Sequence, residues 1–214
     1  MWLRSEGGLR FPNDKEESDM TEILPFVFIR HGETNWNRAG LFQGRSDIPL
    51  NENGREQARA ASRVMVGHHI SRVMVSPLQR ALETAELVFP ASVSLIEIED
   101  DLIECDFGSL DGKPIKDAML EHGITRKEQL AEILPADGES WVELLARCRR
   151  LLDKIAEVQE SGSTIVLIGH DAVLQGLSET LTGRWFDSKH GQPYRFRKGS
   201  EGWEVSDQEA IESA

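Results

Sequence analysis

The sequence predicts an α/β fold built on a mostly parallel sheet. Two continuous apolar runs, Phe26–Ile29 and Thr164–Ile168, have the length and residue types of buried strands. Amphipathic helical patterns lie between and after these runs, and strands that alternate with helices are typical of parallel sheets. A histidine follows each run within two residues, namely His31 and His170. Because open α/β sheets bind their ligands at the carboxyl ends of the strands, we expect both histidines at one edge of the sheet.

The composition is that of an ordinary globular protein with an acidic balance. The 214 residues fit one domain with a sizeable core, and 39% of them are hydrophobic. The 24 Lys and Arg against 37 Asp and Glu give a net charge of −13. This charge repels nucleic acids and anionic membranes, so we expect neither as a partner. A site for an anionic substrate must be a local group of cationic side chains.

Cysteine usage and the chain ends predict a cytoplasmic protein of three parts. Cys105 and Cys148 form no CxxC pair, which fits a reducing compartment better than a disulfide framework. No stretch approaches the ~20 apolar residues that span a bilayer, and charges interrupt the N-terminal segment, so a signal peptide is not expected. We divide the chain into a flexible extension (residues 1–23), a single domain (24–206) and an acidic tail (207–214). The oligomeric state stays open between monomer and homodimer.

The stretch after the first strand predicts a loop and then a helix. Residues 32–50 are polar and contain three glycines and a proline, which is typical of a loop that can wrap a ligand. Asn51 then caps a helix. Its predicted buried face is narrow and consists of Gly54, Ala58, Ala61 and Met65.

The next strand and helix introduce an arginine. A short strand is predicted at Arg72–Val75, and Ser76 as N-cap with Pro77 in the first helical position predicts where the helix begins. This start places Arg80 in the first turn, off the buried stripe and beside free backbone N–H groups, which is a favourable position for binding an anion. The alternative is a surface ion pair between Arg80 and a glutamate of its own helix.

An acidic stretch follows a third predicted strand at Val93–Ile98. Within it, Glu104 stands next to the apolar residues Leu102 and Ile103. Apolar surroundings favour the protonated form of a carboxyl group, as a general acid near neutral pH requires. Taken alone, however, Glu104 is one acidic residue among several.

The remainder of the chain is predicted to supply a cover and the last elements. Residues 111–137 are the least regular part, with two short helical patterns, and we expect them to cover the site. Ser140 precedes the longest helical pattern. Asp171 is predicted to cap another helix. Two short closing strands are predicted at Tyr194–Phe196 and Trp203–Val205.

Arg30 and His31 at the first strand end suggest chemistry on an oxyanion. The guanidinium fork suits phosphate or carboxylate. The imidazole could be a base, a metal ligand or a nucleophile, and an Arg-His pair can also be a surface feature. The adjacent His68 and His69 could bind metal, but they lack a third ligand nearby, so we favour a role at a helix end and predict no metal site.

Five motifs in a fixed order carry a family resemblance. They are RHGETNWN from Arg30, GRSDIPLN from Gly44, SPLQRA from Ser76, ECDFG from Glu104 and GHD from Gly169. From about Phe26 to Leu181 the chain resembles the histidine phosphatase superfamily, which includes cofactor-dependent phosphoglycerate mutases and many small phosphatases. The resemblance implies a phosphoglycerate mutase-like three-layer sandwich, a mostly parallel sheet with helices on both faces.

The resemblance also implies a role for each matching residue. His31 is the nucleophile that becomes phosphohistidine, while Arg30, Arg80 and His170, the last as an imidazolium, bear the charge of the phosphoryl group. Glu104 protonates the leaving oxygen and then activates water. Neither a metal nor a cofactor is implied.

The substrate-side loop of the family matches Asn37, Gln43 and Gly44, and Arg45 is a further candidate at its rim. Gly44-Arg45 and the SPLQRA motif resemble the phosphatase branch more than the mutases, and the segment after Glu104 is short for a mutase. Asp171 departs from the His-Gly pair that is frequent in the family. We expect a phosphatase acting on a small phosphorylated metabolite. A cofactor-dependent phosphoglycerate mutase and a non-catalytic phosphate-binding module are the alternatives.

Overall fold

A computed structural model describes residues 23–208, which form one six-stranded sheet with helices on both faces. The strands are β1 (Phe26–Arg30), β2 (Ile70–Val75), β3 (Ile96–Ile98), β4 (Thr164–Gly169), β5 (Pro193–Gly199) and β6 (Gly202–Asp207). The helices are α1 (Asn35–Ala39), α2 (Glu52–Met65), α3 (Gln79–Val88), α4 (Ile115–Glu121), α5 (Trp141–Val158) and α6 (Asp171–Thr182). Short 3₁₀ helices lie at Val93–Leu95, Asp100–Leu102, Gly108–Leu110 and Lys127–Ile133.

The strand order β3-β2-β4-β1-β5-β6 brings distant parts of the chain together. Strands β3, β2, β4 and β1 are parallel to one another, whereas β5 is antiparallel to both of its neighbours, β1 and β6. Strands β1, β2 and β4 are therefore adjacent, and their carboxyl ends lie at one edge of the sheet. The predicted α/β class with a mostly parallel sheet is confirmed.

Two hydrophobic cores lie on opposite faces of the sheet. In β1, Phe26 and Phe28 belong to the core that α5 and α6 cover. The alternate residues Val27 and Ile29 belong to the core that α2 and α3 cover. This alternation follows from the two-residue period of a strand, and it gives the three layers that the resemblance implies.

Helix α2 holds the loop that follows β1. Its N-cap is Asn51, as predicted, and its buried residues are the four small or flexible ones of the predicted face. The backbones of Gly32 and Gly54 pack directly against each other. There is no room for a side chain between them, since a Cβ on Gly32 would lie only 2.3 Å from the Gly54 carbonyl oxygen. A Cβ on Gly54 would lie 2.1 Å from the Glu33 carbonyl oxygen. Both glycines therefore allow the residue after His31 to lie directly on the start of α2.

Two predicted helix starts were wrong. Helix α3 begins at Gln79 with Leu78 as N-cap, so Ser76 is not the cap and Pro77 is not in the helix. The N-cap of α6 is His170, and Asp171 is its first helical residue. In both cases the polar side chain that was predicted to cap the helix is bonded to a residue of the candidate site instead.

Other boundaries also differ from the sequence predictions. Only Ile96–Ile98 of the predicted third strand is extended, and α1 lies inside the predicted loop. Ile23 is buried in the core, and β6 extends to Asp207. Most of the predicted extension and tail, residues 1–22 and 209–214, lies outside the described residues.

Two further findings concern the described part of the chain. Cys105 and Cys148 are free and buried in the core. None of the helices between residues 23 and 208 is both long and apolar enough to cross a membrane.

Candidate active site

The carboxyl ends of β1, β2 and β4 bring two histidines together. His31 follows β1, and its backbone N–H still bonds to the Gly169 carbonyl oxygen at 2.9 Å. Ser76 follows β2 and bonds in the same way to Ile168 at 3.0 Å. The imidazole rings of His31 and His170 consequently lie with their centroids 5.0 Å apart.

Arg80 lies between the two rings. Its Nε–H donates to His31 Nε2 at 3.3 Å and to His170 Nδ1 at 3.2 Å. Its two terminal nitrogens donate to the backbone carbonyl oxygens of Gly44 and Ser46 at 2.7 and 2.9 Å. Arg80 is fully buried, so the prediction that it lies off the buried stripe was wrong. Burial lowers its pKa to about 10, and the guanidinium stays charged at neutral pH.

The hydrogen bonds of His31 fix its tautomer. Nδ1 lies 2.7 Å from the Gly32 carbonyl oxygen, which can only accept, so Nδ1 carries the proton. Nε2 then has a lone pair. Burial, followed by the charges of Arg80, His190 and Arg30, lowers the pKa of His31 well below its usual value. The ring is therefore neutral at neutral pH. Its Nε2 lone pair accepts the hydrogen bond from Arg80 and can act as a nucleophile once that bond is released.

His170 is held in the opposite tautomer. Its Nδ1 accepts from Arg80, so Nε2 carries the proton and donates to Ser76 Oγ at 2.7 Å. Burial and then the charge of Arg80 lower the pKa of His170 well below its usual value. The predicted imidazolium is thus not the form that this arrangement favours, because the ring is fully buried beside a fixed cation.

Glu104 is a buried carboxyl group facing the same cavity as His31. Burial raises its pKa to about 7, although a 2.8 Å hydrogen bond from the Cys105 N–H and the charge of Arg80 act in the opposite direction. Asp171 adds to the increase. A substantial fraction of Glu104 is therefore protonated at neutral pH, as the apolar residues around it in the sequence predict.

Arg30 reaches the cavity as part of an ion pair. Its Nη1 lies 3.2 Å from Asp171 Oδ1 and 3.1 Å from Ser188 Oγ. Ser188 also donates to Asp171, whose pKa is held below its usual range by Arg30 and by this bond despite the opposing effect of burial. Asp171 therefore orients Arg30 rather than capping α6. The Arg30 Nε–H is buried and makes no hydrogen bond.

The substrate-side residues divide into two groups. Asn37 and Gln43 line the cavity, and Gln43 Nε2 is buried without a hydrogen-bond partner, so it can donate to a ligand. Gly44 contributes its carbonyl oxygen to Arg80 instead. Arg45 lies on a polar surface, where it pairs with Asp106 and Glu139 at 3.5 Å each, and it does not line the cavity.

The cavity is lined by both polar and apolar side chains. We call the part with Arg30, His31 and Glu104 its polar end, and Asn37, Gln43, Asp171 and Gln175 are further polar lining residues. The apolar wall residues come from the loop after β1, the segment after Glu104, the cover segment, the start of α5 and the loop after α6. Together called the apolar end, they are Leu41, Phe42, Phe107, Ile115, Leu130, Ala131, Leu134, Trp141 and Trp185. The predicted cover, residues 111–137, thus contributes four of these wall residues.

Several side chains at the site were not found from the sequence. The ring centroid of His190 lies 5.6 Å from that of His31, and His190 Nε2 is buried without a hydrogen-bond partner. Burial lowers the pKa of His190 to about 3. Ser76 and Ser188 orient His170 and Arg30. The only sequence signal for His190 was its place just before a closing strand. No group of three or more His, Cys, Asp or Glu side chains able to hold a metal occurs within residues 23–208.

Comparison with known proteins places these features in one family. The family described as the histidine phosphatase superfamily (branch 1) matches residues 26–196. Phosphoglycerate mutase-like protein 4 of Arabidopsis thaliana is 35% identical over 172 residues, which cover 78% of this chain and 73% of the relative. A protein named "Probable phosphoglycerate mutase GpmB" from Yersinia enterocolitica is 32% identical over 165 residues, covering 75% of this chain and 76% of the relative.

A solved structure gives the same result for the fold. The alpha-ribazole phosphatase from Shigella flexneri superimposes with a TM-score of 0.72 at 26% identity. The match covers 89% of this chain and 100% of that one. Relatives with phosphatase names and relatives with mutase names are therefore both similar to this chain.

Proposed function

Because this chain belongs to the histidine phosphatase superfamily, we propose that it hydrolyses a phosphomonoester through a phosphohistidine on His31. The observation that carries the proposal is the pair of residues at the polar end of the cavity. His31 is neutral with a lone pair on Nε2, and Glu104 is partly protonated at neutral pH. A nucleophile and a proton donor in these states are what the first chemical step needs.

In the first step, His31 Nε2 attacks phosphorus and the bond from phosphorus to the ester oxygen breaks. Glu104 gives its proton to that oxygen, and the alcohol leaves. The N–H group at His31 Nδ1 keeps its hydrogen bond to the Gly32 carbonyl oxygen. This bond stabilises the ring as it gains positive charge. Arg30 and Arg80 supply fixed positive charge for the phosphoryl oxygens, which is the main demand of phosphoryl transfer.

In the second step, the Glu104 carboxylate accepts a proton from water as the water oxygen attacks phosphorus. The bond between phosphorus and Nε2 breaks, and its electron pair returns to His31. Inorganic phosphate leaves with Glu104 again protonated. A pKa of about 7 suits a group that gives a proton in one step and takes one in the next.

The cavity supports a hydrolase rather than a mutase. A phosphoglycerate or bisphosphate substrate carries a second anionic group besides the reacting phosphate. Among the cavity-lining residues within the described chain, Arg30 is the only Arg or Lys, and it is paired with Asp171. A second anion would therefore meet no free guanidinium or ammonium group there.

The direct test is to trap the phosphoenzyme. The protein is mixed with ³²P-labelled p-nitrophenyl phosphate in excess chelator and quenched in alkali, where phosphohistidine is stable. We expect label on His31, release of phosphate and loss of both in His31→Ala. His69→Ala is the matched control, because His69 is exposed at the opposite edge of the sheet, just before β2. Activity that disappears with the chelator, or label on another residue, would refute the proposal.

The alternatives give different results in the same experiments. A phosphoglycerate mutase interconverts phosphoglycerates when a bisphosphate primer is added, and it releases phosphate only slowly. A phosphate-binding module binds inorganic phosphate without becoming labelled. Labelled enzyme with rapid phosphate release separates the hydrolase from both.

A further inference from the structure

The apolar residues that line the cavity indicate what kind of substrate it binds. We infer that the leaving group is an uncharged aromatic or heteroaromatic body attached to the phosphate through an alcohol oxygen. This inference rests on the proposed function, because it names the substrate class for the same site. Three features of the described residues support it.

The first feature is a pair of tryptophans whose polar edges are already bonded. The indole N–H groups of Trp141 and Trp185 both donate to Glu179 Oε2, at 2.9 and 2.8 Å. The ring centroids lie 4.9 Å apart, and both residues are half-buried and line the cavity. Since Glu179 takes up both N–H groups, the indoles offer the cavity only carbon surface and π faces.

The second feature is a second aromatic pair. Phe42 and Phe107 lie with their centroids 5.2 Å apart and also line the cavity. Leu130 and Leu134 of the cover segment add aliphatic surface. Such walls favour a flat, polarisable body over a polyhydroxylated one, because hydroxyl groups buried there would lose hydrogen bonds to water.

The third feature is charge. The ionised groups near the polar end are the paired Arg30 and Asp171, and Glu104 adds negative charge once it is deprotonated. A carboxylate on the leaving group would meet no unpaired Arg or Lys among the cavity-lining residues of the described chain.

Four esters of primary alcohols test the inference at matched leaving-group chemistry. They are 2-naphthylmethyl phosphate, its 6-carboxy derivative, glycerol 3-phosphate and 3-phosphoglycerate. From the apolar area that a naphthyl group buries, we expect kcat/KM for 2-naphthylmethyl phosphate to exceed that for glycerol 3-phosphate by about 100-fold. The 6-carboxy derivative should be roughly 10-fold poorer than its parent, because its charge must be desolvated.

Glu179 is a positioning residue in this account, since it acts through the two indoles. Glu179→Ala should raise KM for 2-naphthylmethyl phosphate about 10-fold, more than it changes kcat, because the indoles lose their anchor. Glu179→Gln retains an acceptor and should restore part of the loss. The exposed Glu157 provides the control, and Glu157→Ala should leave the constants of all four esters unchanged.

The outcomes separate this inference from the proposed function. Labelled His31 with 3-phosphoglycerate or glycerol 3-phosphate as the best ester would overturn the inference and leave the hydrolase intact. Equal losses for all four esters in Glu179→Ala would also overturn it, because a merely structural role predicts that result. No hydrolysis of any ester and no labelling of His31 would overturn the proposed function and the inference together.

Discussion

Replacing Glu104 with glutamine should stabilise the protein in alkali while removing its activity. Folding raises the pKa of this carboxyl from the ordinary 4.5 to about 7, mainly through burial. Between these values the folded protein binds more protons than the unfolded chain. The favourable contribution is therefore fully present below about pH 4.5 and is lost as the pH rises through about 7. Integrated from pH 5 to pH 8, the loss is about 2–3 kcal/mol.

Urea unfolding of the wild type and of Glu104→Gln at both pH values measures this quantity. Glutamine has the shape of the protonated acid and does not titrate. The free energy of unfolding of wild type minus variant should therefore fall by about 2–3 kcal/mol between pH 5 and pH 8. Glu86→Gln, at an exposed position of α3, is the control and should show a small difference that does not depend on pH. A difference for Glu104→Gln that stays constant or rises with pH would refute the raised pKa. For activity we expect a loss of roughly 10²- to 10⁴-fold in kcat.

The remaining predictions concern the groups around the two histidines. Arg80→Ala should lower kcat/KM by roughly 10²- to 10³-fold, whereas Arg45→Ala should change it less than about threefold. Comparable losses would contradict the proposed role of Arg80 in supplying positive charge for the phosphoryl oxygens. Asp171→Asn removes a negative charge that raises the pKa of Glu104, so the alkaline limb of kcat/KM should move to lower pH. A limb that stays in place would count against this electrostatic coupling. Ser76→Ala removes the hydrogen-bond acceptor that fixes the tautomer of His170. It should lower kcat roughly tenfold in steady-state assays, and an unchanged kcat would contradict this role of Ser76.

The sheet could be predicted because the sequences of its central strands have the length and residue types of buried strands, as the apolar runs in β1 and β4 show. The small residues of α2 likewise define one narrow buried face. Helix starts were harder to predict, since a cap signal is local and can be overridden by tertiary contacts. Ser76 has the residue type of an N-cap, but its hydroxyl accepts hydrogen bonds from His170 and from the Leu78 N–H. Asp171 likewise pairs with Arg30.

The site was predictable only where its residues follow strand ends. His31 and His170 could be placed together from β1 and β4 alone, because adjacent parallel strands end at the same edge. His190 and the indoles of Trp141 and Trp185 come from segments whose position depends on the complete fold. Nothing in local sequence indicates that Glu179 would accept hydrogen bonds from both indoles. The apolar end of the cavity could therefore not be predicted from motifs.

Burial sets the protonation states of the proposed nucleophile, His31, and of the proposed acid, Glu104, together. Removal from water disfavours every charged form, so it lowers the pKa of His31 and raises that of Glu104. The buried cation Arg80 opposes the second effect, but it does not cancel it. His31 is neutral above its lowered pKa, which lies well below 6.5, and Glu104 is mostly neutral below its pKa of about 7. Between these two pKa values both side chains are neutral. The proton on Glu104, rather than the lone pair on His31, must then determine where activity falls as the pH rises.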